Sequence, residues 1–219
     1  MGRDNQSKER QARKLERKKP KRESYDRILI VSEGEKTEPQ YFGEIRQHLK
    51  LNTANVAIMP SEFGPQPSRV VQFAHDKFIE SRKFEQVYCV FDRDDHNDFD
   101  AAIQMASSWN GKLRSDLGQL IIFKAVPSVP CFELWLLLHF ECATRHIHRN
   151  EVYRELVRAG RLPGYTKGQQ GTFERTNHLL NTAHQNAETL VAQRNRHGNE
   201  NPYTEIHLLV EKLISLKRG

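Results

Sequence analysis

Four short apolar runs punctuate residues 27–126, and between them apolar positions recur every three or four residues. Residues 27–31 carry the first run, Ile28-Leu29-Ile30-Val31, which is uniformly apolar rather than alternating. A run this short and this uniform predicts a strand buried on both faces of a parallel sheet. Residues 55–59, 87–91 and 120–126 predict three more strands. Tyr41, Phe42, Ile45 and Leu49 place one apolar face on a helix over 38–50. After a glycine- and proline-rich loop at 60–67, a second helix carries Val70, Val71, Phe73, Ala74, Phe78 and Ile79. A third starts near Asp98, with Ala101, Ala102, Ile103, Met105 and Ala106, and stops at Asn110-Gly111. The order β-α-β-α-β-α-β predicts right-handed crossovers and a small parallel sheet flanked by helices, an α/β fold.

Beyond residue 130 the pattern changes to helices alone. Phe132, Trp135, Leu136, Leu138 and His139 predict a helix over 131–141 that packs on the sheet. Further helices are expected over 150–159, over 173–194 and from Thr204, the last with the stripe Ile206, Leu209, Val210, Leu213 and Ile214. A long loop occupies 162–171, and 194–202 reads as a turn. The expected division is a basic flexible arm at 1–24, an α/β core at 25–130, and a helical part at 131–219 packed on that core.

The chemistry sits where the strands stop. Strand one ends at Ser32-Glu33-Gly34, and Thr37-Glu38-Pro39 then gives a helix start: a hydroxyl N-cap, an early acid and a proline in the first turn. Glu33 therefore stands at the carboxyl end of a buried strand, where open α/β sheets place their ligands. Gly34 lets another group approach the backbone closely. Strand three ends in Asp92-Arg93-Asp94-Asp95-His96. Carboxylates crowded at one strand end repel unless a cation sits among them, and all-oxygen donors suit Mg²⁺ or Mn²⁺. With strands one and three side by side, Glu33, Asp92 and Asp94 converge, and Asp95 is a further candidate ligand. Taken singly, each acidic stretch is a solvated loop capping the next helix; two buried strands ending this way favour a metal site. Lys36 either neutralises charge on a bound phosphate or makes a surface ion pair. Glu133 either favours its helix N-terminus electrostatically or points into the acidic edge. No glycine-rich phosphate loop follows strand one. Cys142, His146 and His148 lack the paired blocks of a structural zinc site.

These motifs resemble the Toprim domain, in which a strand ending in Glu-Gly is followed one α/β unit later by a strand ending in Asp-x-Asp. Topoisomerases, primases and OLD-type nucleases share that domain. A finer resemblance is to RloB-like proteins, carried by Val-Ser-Glu-Gly-Glu-Lys-Thr-Glu-Pro-Gln-Tyr-Phe at 31–42, Phe-Asp-Arg-Asp-Asp-His at 91–96, Pro-Cys-Phe-Glu-Leu-Trp-Leu-Leu-Leu-His-Phe-Glu at 130–141 and Asn-Pro-Tyr-Thr at 201–204. It covers most of residues 25–219. The resemblance implies a Toprim-like sheet with a helical C-terminal extension, a site role for Glu133, and action in defence against phage beside an ATPase partner. Related Toprim effectors imply RNA, including transfer RNA, as substrate; OLD-type relatives imply DNA.

Charge sharpens the choice of partner. The net charge is +6 with 28% charged residues, and an isoelectric point near 9.3 favours a polyanion. Arg13, Lys14, Lys18, Lys19, Lys21 and Arg22 of the arm are candidates to hold phosphates, the plainer reading being a solubilising tail. In the 162–171 loop, Tyr165 and Lys167 offer stacking and phosphate contact, or simply a surface loop. Mean hydropathy is −0.74, and the longest apolar run, 134–138, is too short to span a bilayer. No apolar stretch follows the basic N-terminus, so no signal peptide is expected. Three cysteines without a disulfide pattern fit a reducing cytoplasm. The sequence thus leads to a metal-dependent nuclease, with a non-catalytic nucleic-acid-binding or regulatory subunit as the alternative.

Overall fold

The computed structural model describes residues 26–93, 97–198 and 200–217. Its strands are β1 (Ile28–Ser32), β2 (Val56–Pro60), β3 (Gln86–Asp92), β4 (Ile122–Val129) and β5 (Tyr203–Thr204). Its helices are α1 (Thr37–His48), α2 (Pro67–Ser81), α3 (Phe99–Trp109), α4 (Glu133–Leu137), α5 (Arg149–Leu156), α6 (Thr172–Thr176), α7 (Leu180–His197) and α8 (Ile206–Leu216). The strands form one sheet in the order β2-β1-β3-β4-β5, parallel except for β5. The fold is α/β, a mostly parallel sheet flanked by helices.

Every residue of β1 and β3 is buried. Alternation then splits each strand between two cores. Ile28, Ile30, Tyr88 and Val90 face one layer, which α1 and the helices after residue 131 cover. Leu29, Val31, Val87, Cys89 and Phe91 face the other, covered by α2 and α3. A strand facing apolar layers on both sides needs no polar positions in its middle, which is why Ile28–Val31 and Val87–Phe91 are aliphatic, aromatic or thiol while Ser32, Gln86 and Asp92 stand at strand ends. The chain moves from β1 outward to β2, then crosses back past β1 to β3. With right-handed crossovers that reversal puts α1 and α2 on opposite faces. It also makes the β1–β3 boundary a topological switch point, where the crevice at the strand ends opens.

The sequence expectation and the structure differ in the second half. Strand four starts later than expected and runs on through Pro127 and Ser128 to Val129. A proline lacks the amide donor, yet Pro127 stays in register with Phe91, and its carbonyl accepts from Glu205 N at 3.1 Å. Between the expected turn at 194–202 and the last helix lies β5, where Thr204 pairs antiparallel with Ser128 and their hydroxyls meet at 2.9 Å. Thr204 is therefore a strand residue, and the last helix begins at Ile206. The helix expected over 131–141 shrinks to Glu133–Leu137. The one expected over 173–194 is broken by a 3-10 turn at Asn177–Leu179.

Trp135 is buried completely and donates Nε1–H to the Tyr41 hydroxyl at 2.8 Å. That bond ties α4 to α1 and satisfies the indole donor. Tyr41 is a core residue. Cys89, Cys131 and Cys142 are free thiols. Among the described residues no helix is long and apolar enough to cross a membrane.

His139 lies in the same core, with Nδ1 3.0 Å from the Trp135 carbonyl. A carbonyl only accepts, so Nδ1 carries the proton. Burial pushes the imidazole down from its ordinary 6.5 to about 4. The unfolded chain thus takes up this proton near 6.5 and the folded chain only near 4. Stability held by the neutral ring is complete above the upper value and is lost as pH falls. Between pH 7 and pH 5 the loss is about 2 kcal/mol. In urea denaturation at those two pH values, His139→Phe should show a smaller acid loss than the wild type; an equal loss would remove His139 from the acid sensitivity.

Candidate functional site

The turn after β1 is set by two backbone-level contacts. Glu33 N donates to Val90 O at 2.9 Å, so the chain is still bonded to β3 when it leaves the sheet. Ser32 Oγ donates to Gly34 O at 3.0 Å, closing the bend. The Glu33 carboxylate then reaches across the switch point, and Oε2 accepts the backbone N–H of Asp92 at 2.9 Å. Two acids from two neighbouring strand ends are thereby fixed beside each other.

Gly34 does admit a close approach, and the group that approaches is Glu38. A Cβ at position 34 would lie 2.1 Å from Glu38 Oε2, so any side chain there would expel the carboxyl. Glu38, in the first turn of α1, is 5% exposed. Burial pushes its carboxyl up from 4.5 to about 7, with Glu133 and Glu33 adding like-charge repulsion and Lys167 opposing them. In the sequence Glu38 is a routine helix-start acid, because acids are common there. The informative signal is its pairing with a glycine four residues earlier. The helix start also differs in detail. Lys36 is the N-cap, with no side-chain capping bond. The Thr37 hydroxyl instead accepts from Gly168 N at 3.0 Å.

Glu133 enters from α4, the short helix that follows β4. It is 1% exposed, and Oε1 accepts from the Tyr153 hydroxyl at 2.8 Å and the Tyr165 hydroxyl at 3.3 Å. Lys167 Nζ stands 3.9 Å from the same oxygen and 5.5 Å from the centre of the Tyr153 ring. Glu133 Oε2 has no hydrogen-bond partner. Burial and the Glu133 carboxylate together raise the proton affinity of both tyrosines, so they stay neutral donors. Tyr153 lies 20 residues from Glu133 along the chain, and no local pattern links them.

Glu33, Glu38, Asp92 and Glu133 line one recess of about 330 Å³, with Lys36, Lys167 and Arg149 also on its walls. Of the residues singled out from sequence, Glu33, Lys36, Asp92, Glu133 and Lys167 are brought together here. Tyr165 corrects its expected role. Its ring is 5% exposed and its hydroxyl is committed to Glu133, so it offers no face for a base. The 162–171 loop is likewise not a plain surface loop. It docks on Lys36, where a Cβ at Gly168 would come within 2.7 Å of the Lys36 Cβ. Asp94 and Asp95, and the arm residues Arg13, Lys14, Lys18, Lys19, Lys21 and Arg22, lie outside the described residues.

Among the described residues, no three carboxylate, imidazole or thiol groups are gathered as a metal-holding set. The donor chemistry nevertheless fits a hard divalent cation: oxygen donors only, an unpartnered buried oxygen on Glu133, and a neighbouring carboxyl whose proton affinity is raised by burial and, to a lesser extent, by nearby negative charge.

The family model described as RloB-like protein matches residues 28–213. No curated protein and no solved structure matches the chain. The match spans all five strands and seven of the helices in full, including both strand ends that carry the recess and the loop that covers it. The chain therefore belongs to the RloB-like protein family.

Proposed function

We propose that the chain is a Mg²⁺- or Mn²⁺-dependent nuclease that hydrolyses phosphodiester bonds of RNA, with transfer RNA among its candidates, or of DNA. The observation that carries this reading is the recess itself. Five carboxylates line one small volume, Glu33 and Glu35 just after β1, Glu38 of α1, Asp92 of β3 and Glu133 of α4, and Glu38 is pushed up to about 7 by burial and by its acidic neighbours. Such a cluster is stabilised by a cation and costs stability without one. Glu33 and Asp92, joined by Asp94 and with Asp95 as a further ligand, would hold the ion. When bound, it supplies Lewis-acid polarisation of the phosphoryl group and a nucleophilic water.

The chain's own groups do the rest. The Glu33–Asp92 backbone bond fixes the spacing of the two strand ends. The Tyr153 and Tyr165 hydroxyls hold one oxygen of Glu133, and the other is buried without a hydrogen-bond partner. Lys167 and Lys36, exposed on the walls, are placed to meet the negative oxygens of a phosphodiester. Membership of the RloB-like family supports the wider reading as a cytoplasmic antiphage effector acting with an ATPase partner.

A second reading is a nucleic-acid-binding or regulatory subunit of such a complex with no turnover of its own. It needs only the cations on the recess walls, Lys36, Lys167 and Arg149, as phosphate contacts.

Two measurements separate these. Labelled transfer RNA, single-stranded RNA, single-stranded DNA and duplex DNA are incubated with the protein in Mg²⁺, Mn²⁺ or EDTA. Cleavage is expected only with metal. Glu33→Ala, or Asp92→Ala together with Asp94→Ala, should lower it at least about 100-fold while the circular dichroism melt stays cooperative. Full activity in those variants would sink the site. Independently of activity, Mg²⁺ or Mn²⁺ at a hundredfold excess over its Kd should stabilise the wild type at pH 8 by about 2.7 kcal/mol, read as a rise of several degrees in Tm. Glu33→Ala should abolish the rise. The same rise in both proteins would place metal binding elsewhere.

A further inference from the structure

A second cleft of about 670 Å³ adjoins the acidic recess, and Arg149, at the start of α5, lines both. Its other charged or titratable walls are Arg93, His146, His148 and Glu200. Arg93 directly follows Asp92, and its backbone N–H is held by Ser128 O at 2.9 Å. The His146–His148 segment is pinned by Asn201, whose side chain accepts from Ile147 N at 3.2 Å and donates to Ile147 O at 3.1 Å. The cleft is therefore built on strand ends and a braced segment rather than on an open loop.

Resting on the nuclease reading above, the geometry points to this cleft as the track that grips the substrate strand beside the scissile phosphate. The ligand is a single-stranded stretch of nucleic acid, held by its phosphates. The recess carries five carboxylates against three cations, and the second cleft two arginines against one carboxylate, so the net charge changes sign between two clefts that meet at Arg149. A polyanion needs that division: its reacting phosphate belongs with a metal in the acidic recess, and the next phosphates belong with Arg149 and Arg93.

Single strandedness follows from depth. Glu133, Glu38 and Asp92 are 1%, 5% and 6% exposed, in a recess with room for roughly one nucleotide-sized group. A flexible strand can bend a phosphate into it, whereas a stiff duplex cannot. Among the described residues no Phe, Tyr or Trp lines the second cleft. Stacking platforms are what read or favour bases on single strands, so binding here reads the backbone and tolerates base sequence.

Glu200 gives the track a built-in competitor. Its carboxylate pairs with the Arg93 guanidinium, which also lies 5.4 Å from the centre of the Phe99 ring. The Glu200 side chain is 58% exposed, and exposed pairs of this kind contribute little. An incoming phosphate displaces it readily, and removing its charge leaves Arg93 wholly to the strand.

The test is binding of the full-length protein to fluorescein-labelled oligonucleotides in EDTA, across a salt series. Single-stranded RNA, single-stranded DNA and duplex DNA are compared. Arg93→Ala and Arg149→Ala should each weaken single-strand binding at least about threefold and reduce the log–log salt slope by about 0.7. Glu200→Gln should tighten it at least about twofold, and the gain should vanish when combined with Arg93→Ala. Lys83→Ala, at the opposite end of β3, controls for net charge and should change neither quantity by as much. RNA and DNA strands that bind alike confirm backbone recognition, and a preference for one identifies the sugar that the track accepts. The proposal is overturned if both arginine variants behave like Lys83→Ala, if Glu200→Gln fails to tighten binding, or if duplex binds as well as single strand. No metal is present, so these outcomes stand apart from cleavage. Loss of the track leaves Glu33-dependent cleavage in Mg²⁺ to be scored, and an intact track without cleavage removes the nuclease reading alone.

Discussion

One hydrogen bond fixes the geometry on which the rest depends: the Glu33 carboxylate accepting the Asp92 amide at 2.9 Å. It spans the boundary between β1 and β3, where the strand order reverses. A strand end at that boundary exposes an amide with no next strand residue to pair with. Satisfying it with a carboxylate brings a negative charge onto the crevice and holds it beside a second acid. The sheet thus produces an acidic pair as a by-product of finishing its own backbone bonding. Everything added afterwards adjusts the electrostatics of that pair.

Those additions come from far along the chain. α4 delivers Glu133, α5 delivers Tyr153 and Arg149, and the loop before α6 delivers Tyr165 and Lys167. They are held there by ordinary core forces. The Trp135–Tyr41 bond ties α4 to α1, and Glu44 accepts Gly171 N at 2.6 Å and Phe173 N at 2.7 Å, tying the loop's end to α1 as well. Because α1 also carries Glu38, one helix supplies an acid to the recess and moors the covering loop. The helices after residue 131 share a single apolar core with α1 and one face of the sheet. The recess depends on that packing.

The sheet was legible in the sequence because burial on both faces leaves an unmistakable apolar run. Glu33 and Asp92 were legible because each stops such a run with a charge. The parts that were not legible share a physical reason. β5 has two residues, too few to show a period. β4 continues through Pro127 because only the amide donor is missing there; the carbonyl still pairs. Glu38 has the residue type and position of a routine first-turn acid, and only the space left by Gly34 distinguishes it. Tyr165 looked like an exposed aromatic in a polar loop. Its hydroxyl partner is 32 residues away along the chain, so nothing nearby marked it as buried.

The division of charge between the two clefts follows from where the chain can place each sign. Acids in the recess come from strand ends and helix starts, positions that are backbone-fixed and buried, where a charge must be paired or neutralised. The cations beside it, Arg93 and Arg149, are long side chains at less buried positions, where Arg93 pairs with the exposed Glu200 carboxylate. Burying the acids leaves the recess with charge that only a compact counter-ion could reach. On the proposed reading, the less buried arginines are the groups an extended phosphodiester would meet first. A site with the signs exchanged would strand buried cations without a counter-charge, and that cost is why the buried positions here carry the acids.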